Sequence, residues 1–399
     1  MFPFDEIEIK ELQCSTAQKR YLVCQGSNYL EANQMMVELL TCLKKSDTIE
    51  EASKMYVETT GSTYTVEKIT EYVNTNLVPR FSTADTERSK RKFLYQVELI
   101  KAETVNRITR LSGFMFRKPL LISITVVAAV QDFLFLAYTP NLLSYTGGSN
   151  IYIVLGLLAC VCLSSFFHEL GHASACSYYG VKHGGIGIGL YLTFPVLYTD
   201  VNNAWRLPRG KRCVVNFAGV YFQGIIAILL IAAFYITELP FLKYLLLTMN
   251  MGFAFVLNPF FKFDGYWLAS DLLGIPNLRK RSNEVIIYCI KKLLHKPTSQ
   301  PYIFSIKKWI MIMFAVYTLF TTAFMGYFFL YVLPLFVYNF VQTFPHDIER
   351  MSMYLSAGVE MPFSLLRNIV SQGLFMAFIV IMIVSPVYKK IANGRSNKK

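Results

Sequence analysis

Phe167-His168-Glu169-Leu170-Gly171-His172 sits inside a hydrophobic block that runs from about 151 to 178, and that placement decides the reading of the chain. A block of this length matches the roughly 20 apolar residues a helix needs to cross about 30 Å of hydrocarbon. Within such a helix, positions i and i+4 share one face. His168 and His172 can therefore aim at one ion, while Glu169, one residue along, reaches the edge of the same site. The five-letter HExxH pattern recurs by chance in soluble sequences, but three titratable side chains inside a lipid-spanning segment demand partners. Zinc would supply that partner, and a catalytic zinc takes three protein ligands and leaves a fourth position open.

The third ligand is expected from Asp264, in Asn258-Pro259-Phe-Phe-Lys-Phe-Asp264-Gly265, just past a later apolar block at 241–260. Asp200 is the rival for that role, with a loop or substrate-contact role as its alternative. His183 reads as a loop residue, and His295 and His346 fall in expected loops on opposite sides of the membrane, away from the site. Asp132, inside another apolar block, is either functional or a hydrogen-bonding partner that faces the helix bundle. Asn258 and Pro259 interrupt the 241–260 block, and broken helices at membrane depth are tolerated where they line a cavity; a simple helix end is the alternative.

Working outward, apolar blocks recur near 119–138, 151–178, 214–236, 241–260, 309–332 and 366–386, so the chain reads as an all-α polytopic membrane protein with about six transmembrane helices. Composition agrees: 54% of the 399 residues are hydrophobic and only 16% charged, against roughly 25% charged in soluble domains. The formal charge of +13 could point to nucleic acid, but the basic residues lie beside the spans. Segments around 140–150, 238–240 and 333–365 contain Arg350 as their sole Lys or Arg. By the positive-inside rule both termini are expected in the cytoplasm, and the chain is expected to be integral to the cytoplasmic (inner) membrane. Met1–Lys10 is acidic and lacks an apolar core, so the first span is expected to be its own targeting signal. The eight cysteines form no CxxC pair and read as reduced packing residues.

Residues 1–85 read as a separate soluble α+β domain. Ile7–Gln13, Arg20–Cys24 and Asn28–Ala32 suggest three short strands. Asn33–Lys45, a helix opened by the Thr48/Glu51 capping box, and another from Thr65 to about Leu77 suggest three helices. Acidic residues are dense from Glu6 to Glu58, which argues against a nucleic-acid partner. Residues 86–118 read as a basic, amphipathic juxtamembrane helix that lies on anionic lipid, or as a solvated linker. The remaining divisions are a membrane core at 119–270, a cytoplasmic loop at 271–308, and C-terminal spans with a basic tail at 309–399.

HExxH in one membrane helix and NP…DG in a later one, over roughly 150–275, resemble the site-2 protease family of intramembrane zinc metalloproteases. The stretch from Gly180 to Trp205, with Pro195, Tyr198, Asp200 and Trp205, followed by Arg206-Leu-Pro-Arg209, looks like the branch linked to peptide maturation and export. The spacing from Pro259 to Asp264, which includes Lys262, departs from the family pattern. The resemblance implies that His168, His172 and Asp264 hold Zn2+, that Glu169 is the catalytic proton carrier, and that Asn258, with Pro259, binds substrate. The N-terminal order of strands then helices resembles PqqD-like winged-helix domains, which recognise leader peptides by strand addition; DNA binding or a purely structural cap are the alternatives.

The expected function is a zinc-dependent intramembrane endopeptidase that cleaves a peptide precursor or leader, in the maturation of a ribosomally made secreted peptide. Its partners would be a peptide or transmembrane-segment substrate, a leader on the N-terminal domain, anionic lipid, and an export ATPase. The alternatives are regulated proteolysis of a membrane-anchored signalling factor, and a non-enzymatic peptide export or immunity subunit. A substrate helix must be unwound before attack, and the Gly-rich, alternating stretch Ile186–Thr193 reads as an edge strand able to hold it open.

Overall fold

The computed structural model describes residues 4, 6–15, 19–26, 28–81, 96–142, 151–191 and 194–396. The chain begins with the expected order of three strands and three helices. Strands β1 (Glu8–Leu12), β2 (Arg20–Gln25) and β3 (Asn28–Asn33) form an antiparallel sheet in the order β1-β2-β3. Helix α1 (Gln34–Lys45) is capped by Asn33, whose side chain accepts from the Met36 N–H at 2.9 Å. Helix α2 (Ile49–Thr60) is capped by Thr48, whose hydroxyl accepts from the Glu51 N–H at 3.3 Å, and it ends on Gly61 at φ +60°. Helix α3 (Val66–Tyr72) continues through a π turn at Val73–Leu77 into Val78–Phe81, past the expected stop at Pro79. The wider turn interrupts the hydrogen-bond ladder where proline lacks its N–H. Leu39, Leu40, Leu43, Tyr56, Val73 and Leu77 close the core of this domain.

The juxtamembrane segment differs from expectation. Its described part opens as a strand, β4 (Gln96–Ile100), because Gln-Val-Glu-Leu alternates polar and apolar residues with period two; residues 86–95 lie outside the described residues. Helix α4 (Ala102–Ser112) then keeps Arg107 and Arg110 exposed and turns Val105 and Thr109 inward. It is fastened by Thr109 Oγ1 to Ser177 Oγ at 2.8 Å and by Ser112 Oγ to Ser174 Oγ at 2.8 Å.

Three helices build the centre: α5 (Lys118–Tyr138), α6 (Ile151–Tyr178) and α7 (Arg209–Thr237). Between α6 and α7 lie β5 (Ile186–Tyr191) and β6 (Phe194–Thr199), and the sheet takes the order β4-β5-β6. This corrects the reading of Ile186–Thr193: β5 is the central strand and β4 and β6 are the edges, while Leu192 and Thr193 lie outside the described residues. Helix α7 stops at Glu238 (φ +53°), and Pro240 starts α8 (Pro240–Val256). Then come α9 (Asp264–Leu273) and α10 (Leu278–Leu293), which corrects the expected loop at 271–308 to a helix–turn–helix over much of its length.

Among the described residues, five helices are long and apolar enough to cross a membrane: Lys118–Tyr138, Ile153–Tyr178, Arg209–Thr237, Lys308–Ala357 and Ser364–Ile381. The expected span at 241–260 is the shorter α8, 17 residues or about 26 Å, because Asn258-Pro259 ends it. Lys308–Ala357 joins α11 (Lys308–Tyr327), a π turn and α12 (Leu333–Ala357) into 50 helical residues. At about 75 Å this exceeds any hydrocarbon core, so most of the expected loop at 333–365 is helix, and His346 stands exposed on α12.

By compactness the chain divides into two units, one made mostly of residues 1–91, 97–188 and 197–314, the other of 315–399 with two short segments. In the second, α12 and α13 (Phe363–Ser396) run antiparallel, since Phe336 meets Phe375 (ring centroids 4.4 Å apart) while Thr343 donates to Gln372 at 3.4 Å.

Candidate metal centre

On α6, His168 and His172 lie one turn apart, buried, on the face that meets α7. Close approach of the two helices is permitted by glycine. A Cβ on Gly171 would overlap the Ala218 carbonyl, and one on Gly219 would overlap the His168 ring. Each imidazole is oriented from behind. The His172 Nδ1–H donates to the Val215 carbonyl at 2.8 Å. The His168 Nδ1 lies 3.0 Å from Gln223 Oε1.

The direction of that second bond follows from Ser164. The Gln223 amide nitrogen lies 2.9 Å from Ser164 Oγ and 3.4 Å from the Ser164 carbonyl, which can only accept. Gln223 Nε2 must therefore face Ser164, its Oε1 must face His168, and His168 must carry its proton on Nδ1. Both imidazoles then present an Nε2 lone pair forward, as metal-ligating histidines do when their other nitrogen is held by an acceptor.

Asp264 completes the cluster from the first turn of α9. Its Oδ2 lies 2.9 Å from His168 Nε2 and 3.0 Å from His172 Nε2, and the two nitrogens are 3.1 Å apart. Three acceptor atoms thus converge with no donor among them when both histidines are neutral. Four-coordinate zinc with bonds of about 2.0–2.2 Å sets its ligands roughly 3.3–3.5 Å apart, so the residues fit such an ion with shifts of a few tenths of an ångström. Among the described residues, this is the one grouping of His, Cys, Asp and Glu with metal-ligating spacing.

Helix α9 is held so that Asp264 can reach. A Cβ on Gly265 would overlap the Leu257 carbonyl, so glycine alone lets the helix fold back on the end of α8. Seven residues on, Asp271 shares the Asp264 face and pairs with Arg212 of α7 at 2.5 Å, while Asn216 donates to it at 2.9 Å. The connecting turn is fixed by the Phe260 N–H, which donates to Asn258 Oδ1 at 2.8 Å, and by Arg279 Nη2, which donates to the Phe260 carbonyl. Asn258 therefore shapes this turn with its oxygen, Pro259 follows it, and Lys262 is exposed.

Glu169 is half-buried beside the cluster, within electrostatic reach of both imidazoles and of Asp264, and its carbonyl accepts from Thr199 Oγ1 at 3.5 Å. Asp200 serves its loop: its side chain accepts from the Asn202 N–H at 3.0 Å and its carbonyl from the Gly184 N–H at 2.8 Å. His183 donates from Nδ1 to the Gly184 carbonyl at 2.6 Å, also within the loop. Asp132 takes its bundle-facing role, accepting from Asn250 of α8 at 2.8 Å.

The sequence reading missed Gln223, Ser164 and Gly219. A signal for them exists. Ser164, His168 and His172 repeat every four residues, and Arg212, Asn216, Gly219 and Gln223 form a polar and small stripe at 4, 3 and 4 residue steps along an otherwise apolar helix. Comparison with known protein families, with curated proteins and with solved structures finds no match for this chain.

Proposed function

We propose that this chain is a zinc-dependent intramembrane endopeptidase in which His168, His172 and Asp264 hold the ion. The observation that carries the reading is the convergence of three acceptors from two helices, with both tautomers fixed from behind, beside a fourth ionisable group that the cluster does not use. A structural zinc site has no need of Glu169. When bound, the ion supplies Lewis acidity to an attacking water and to the scissile carbonyl.

Glu169 takes the proton of the attacking water and returns it to the leaving amine. Gln223 and the Val215 carbonyl keep both imidazoles in register. The sheet of β4, β5 and β6 has edges on which a substrate segment, once unwound, can lie extended, and the Asn258 turn borders the same helix that carries Asp264. The resemblance to site-2 proteases of peptide maturation points to a membrane-presented precursor, with the site near the cytoplasmic face of the inner membrane.

The N-terminal domain is proposed to receive the leader of that precursor, as PqqD-like domains do. In support, β3 is an outer strand of its sheet, and beside its end lies a groove of about 670 Å³ lined by Met35, Met36, Leu39, Tyr56, Ile69 and Tyr72.

The test uses the full chain in nanodiscs of anionic lipid, with zinc content by mass spectrometry and a library of single-span peptides as substrate. The expected result is about one zinc per chain, cleavage products from wild type, and none from Glu169→Gln although it retains zinc. A chain without zinc, a wild type that yields no products, or products that persist in Glu169→Gln would overturn it; zinc binding without cleavage favours an export or immunity subunit.

A further inference from the structure

We infer that the N-terminal domain is a clamp on the helix that delivers the third metal ligand, with Ser15 as a positioning residue for the metal centre. The inference rests on the metal reading above. Helix α9 has only ten residues. Asp264 stands at its amino end, so the position of its carboxyl end sets where that carboxylate points.

The last carbonyls of any helix lack intrahelical partners, and here they are met from the N-terminal domain. Ser15 Oγ donates to the Leu273 carbonyl at 2.7 Å, and the Ser15 N–H donates to the Gly274 carbonyl at 2.9 Å. Arg209, at the start of α7, completes the cap: it donates to the Leu272 carbonyl at 2.9 Å and to Ser15 Oγ at 3.0 Å, while its own N–H donates to Gln13 at 3.2 Å. Gly274 adopts φ +65°, and a Cβ there would overlap both Ser15 Oγ and Arg209 Nη1. The junction thus depends on glycine for its fit as well as for its backbone angle.

A second set of contacts reaches the same helix through its side. Trp205 packs under the sheet against Leu12, Leu22 and Cys24. Its ring meets Trp267 of α9 edge-on, with centroids 5.9 Å apart, and Arg212 lies over it at 5.2 Å while pairing with Asp271. Trp267 and Asp271 are three and seven residues from Asp264. Beyond the cap, Glu31 accepts from Arg281 and from Asn277, each at 3.1 Å, which ties the start of α10 to the sheet. These routes from the N-terminal sheet end on α9, on its immediate supports and on the start of α10, while Tyr29 and Glu8 reach Asn203 and Arg206 in the loop that carries Trp205.

The consequence is that docking of the domain stabilises metal coordination, and whatever loosens the domain loosens the metal. Partners that only orient a ligand typically change metal affinity by about 10- to 100-fold. The test is a chelator challenge of the zinc-loaded full chain in nanodiscs, with amide hydrogen exchange of Tyr266–Leu273 as a readout that needs no metal.

Ser15→Ala and Glu31→Lys are expected to release zinc about ten-fold faster than wild type and to lose protection along α9. Ser15→Thr, which keeps the hydroxyl, restores wild-type release, and Lys54→Ala, on the exposed side of α2, leaves it unchanged. Wild-type release and wild-type protection of α9 in both Ser15→Ala and Glu31→Lys would overturn the clamp. If the wild type itself holds no zinc, the metal reading fails and exchange at α9 alone decides the clamp: protection lost in Ser15→Ala supports it, and protection retained refutes it.

Discussion

Replacing Gln223 by leucine isolates the orientation of one proposed metal ligand, His168, without touching the other residues of the cluster. The wild-type amide does two things: its oxygen accepts from His168 Nδ1 at 3.0 Å, and its nitrogen is held by Ser164. Leucine keeps most of the volume and removes both. The His168 N–H is then left buried beside an apolar side chain, a loss of about 1–3 kcal/mol. The ring recovers that loss by turning toward another acceptor or exchanging its proton to Nε2, and either change takes the lone pair away from Asp264 and His172. The expected fall in zinc affinity is therefore about 10- to 100-fold, or about 1.4–2.7 kcal/mol.

Competitive titration against a chromophoric chelator reads this directly on purified protein in nanodiscs. Gln223→Glu supplies the control, because a carboxylate still accepts from His168 and Ser164 Oγ can turn its hydrogen toward it; affinity within about three-fold of wild type is expected. Gln223→Leu binding zinc as tightly as wild type would refute the argument that Gln223 fixes the tautomer. Equal losses in the leucine and glutamate variants would refute it too, since they would show that packing rather than the acceptor matters.

Three further outcomes follow from the geometry. Gly219→Ala places a methyl into the His168 ring, so zinc content should drop to near zero while the chain still inserts; retention of a full complement would show that the ring has room to move. Asp271→Asn breaks a buried pair with Arg212 and should cost about 3 kcal/mol, read as a lower denaturation midpoint, with wild-type stability as the contrary result. Burial pushes the Cys14 thiol up to about 11, so at pH 8 only about 0.1% is thiolate, against roughly a quarter for an ordinary thiol near 8.5. Maleimide should therefore modify exposed Cys289 well before Cys14, with the gap narrowing as pH rises toward 11; equal rates at pH 8 would mean that Cys14 is not packed against the Leu12, Leu22 and Cys24 cluster.

What was legible in the sequence was whatever lipid makes expensive. His168, Glu169 and His172 stand out because an apolar span has no cheap place for them, and Asp264 followed because a carboxylate near a broken helix was the missing ligand type; in the structure the three candidate ligand atoms lie within about 3 Å of one another. The same logic placed Asp132, whose carboxylate needed a partner and has Asn250.

Gln223 escaped because an uncharged amide among aliphatic residues carries no comparable penalty. Only its place on a polar stripe with Arg212 and Asn216 marks it, and that stripe means something only once α6 is known to lie alongside. Strand order was illegible for a related reason. That β5 is central depends on β4, about ninety residues earlier, and a period-two pattern says that a strand exists but not what lies on either side of it.

Long-range charge pairs set the same limit on the N-terminal domain. Its strands and caps are local and were readable, whereas Glu31 meets Arg281 across 250 positions and Ser15 meets Leu273 across 258. A sequence shows these as ordinary surface residues in a soluble domain and a basic loop. The acidic balance of residues 1–58, which argued against a nucleic-acid partner, acquires a positive use: Glu8 and Glu31 answer Arg206 and Arg281, so the domain's charge suits it to sit on the basic flank of its own membrane core.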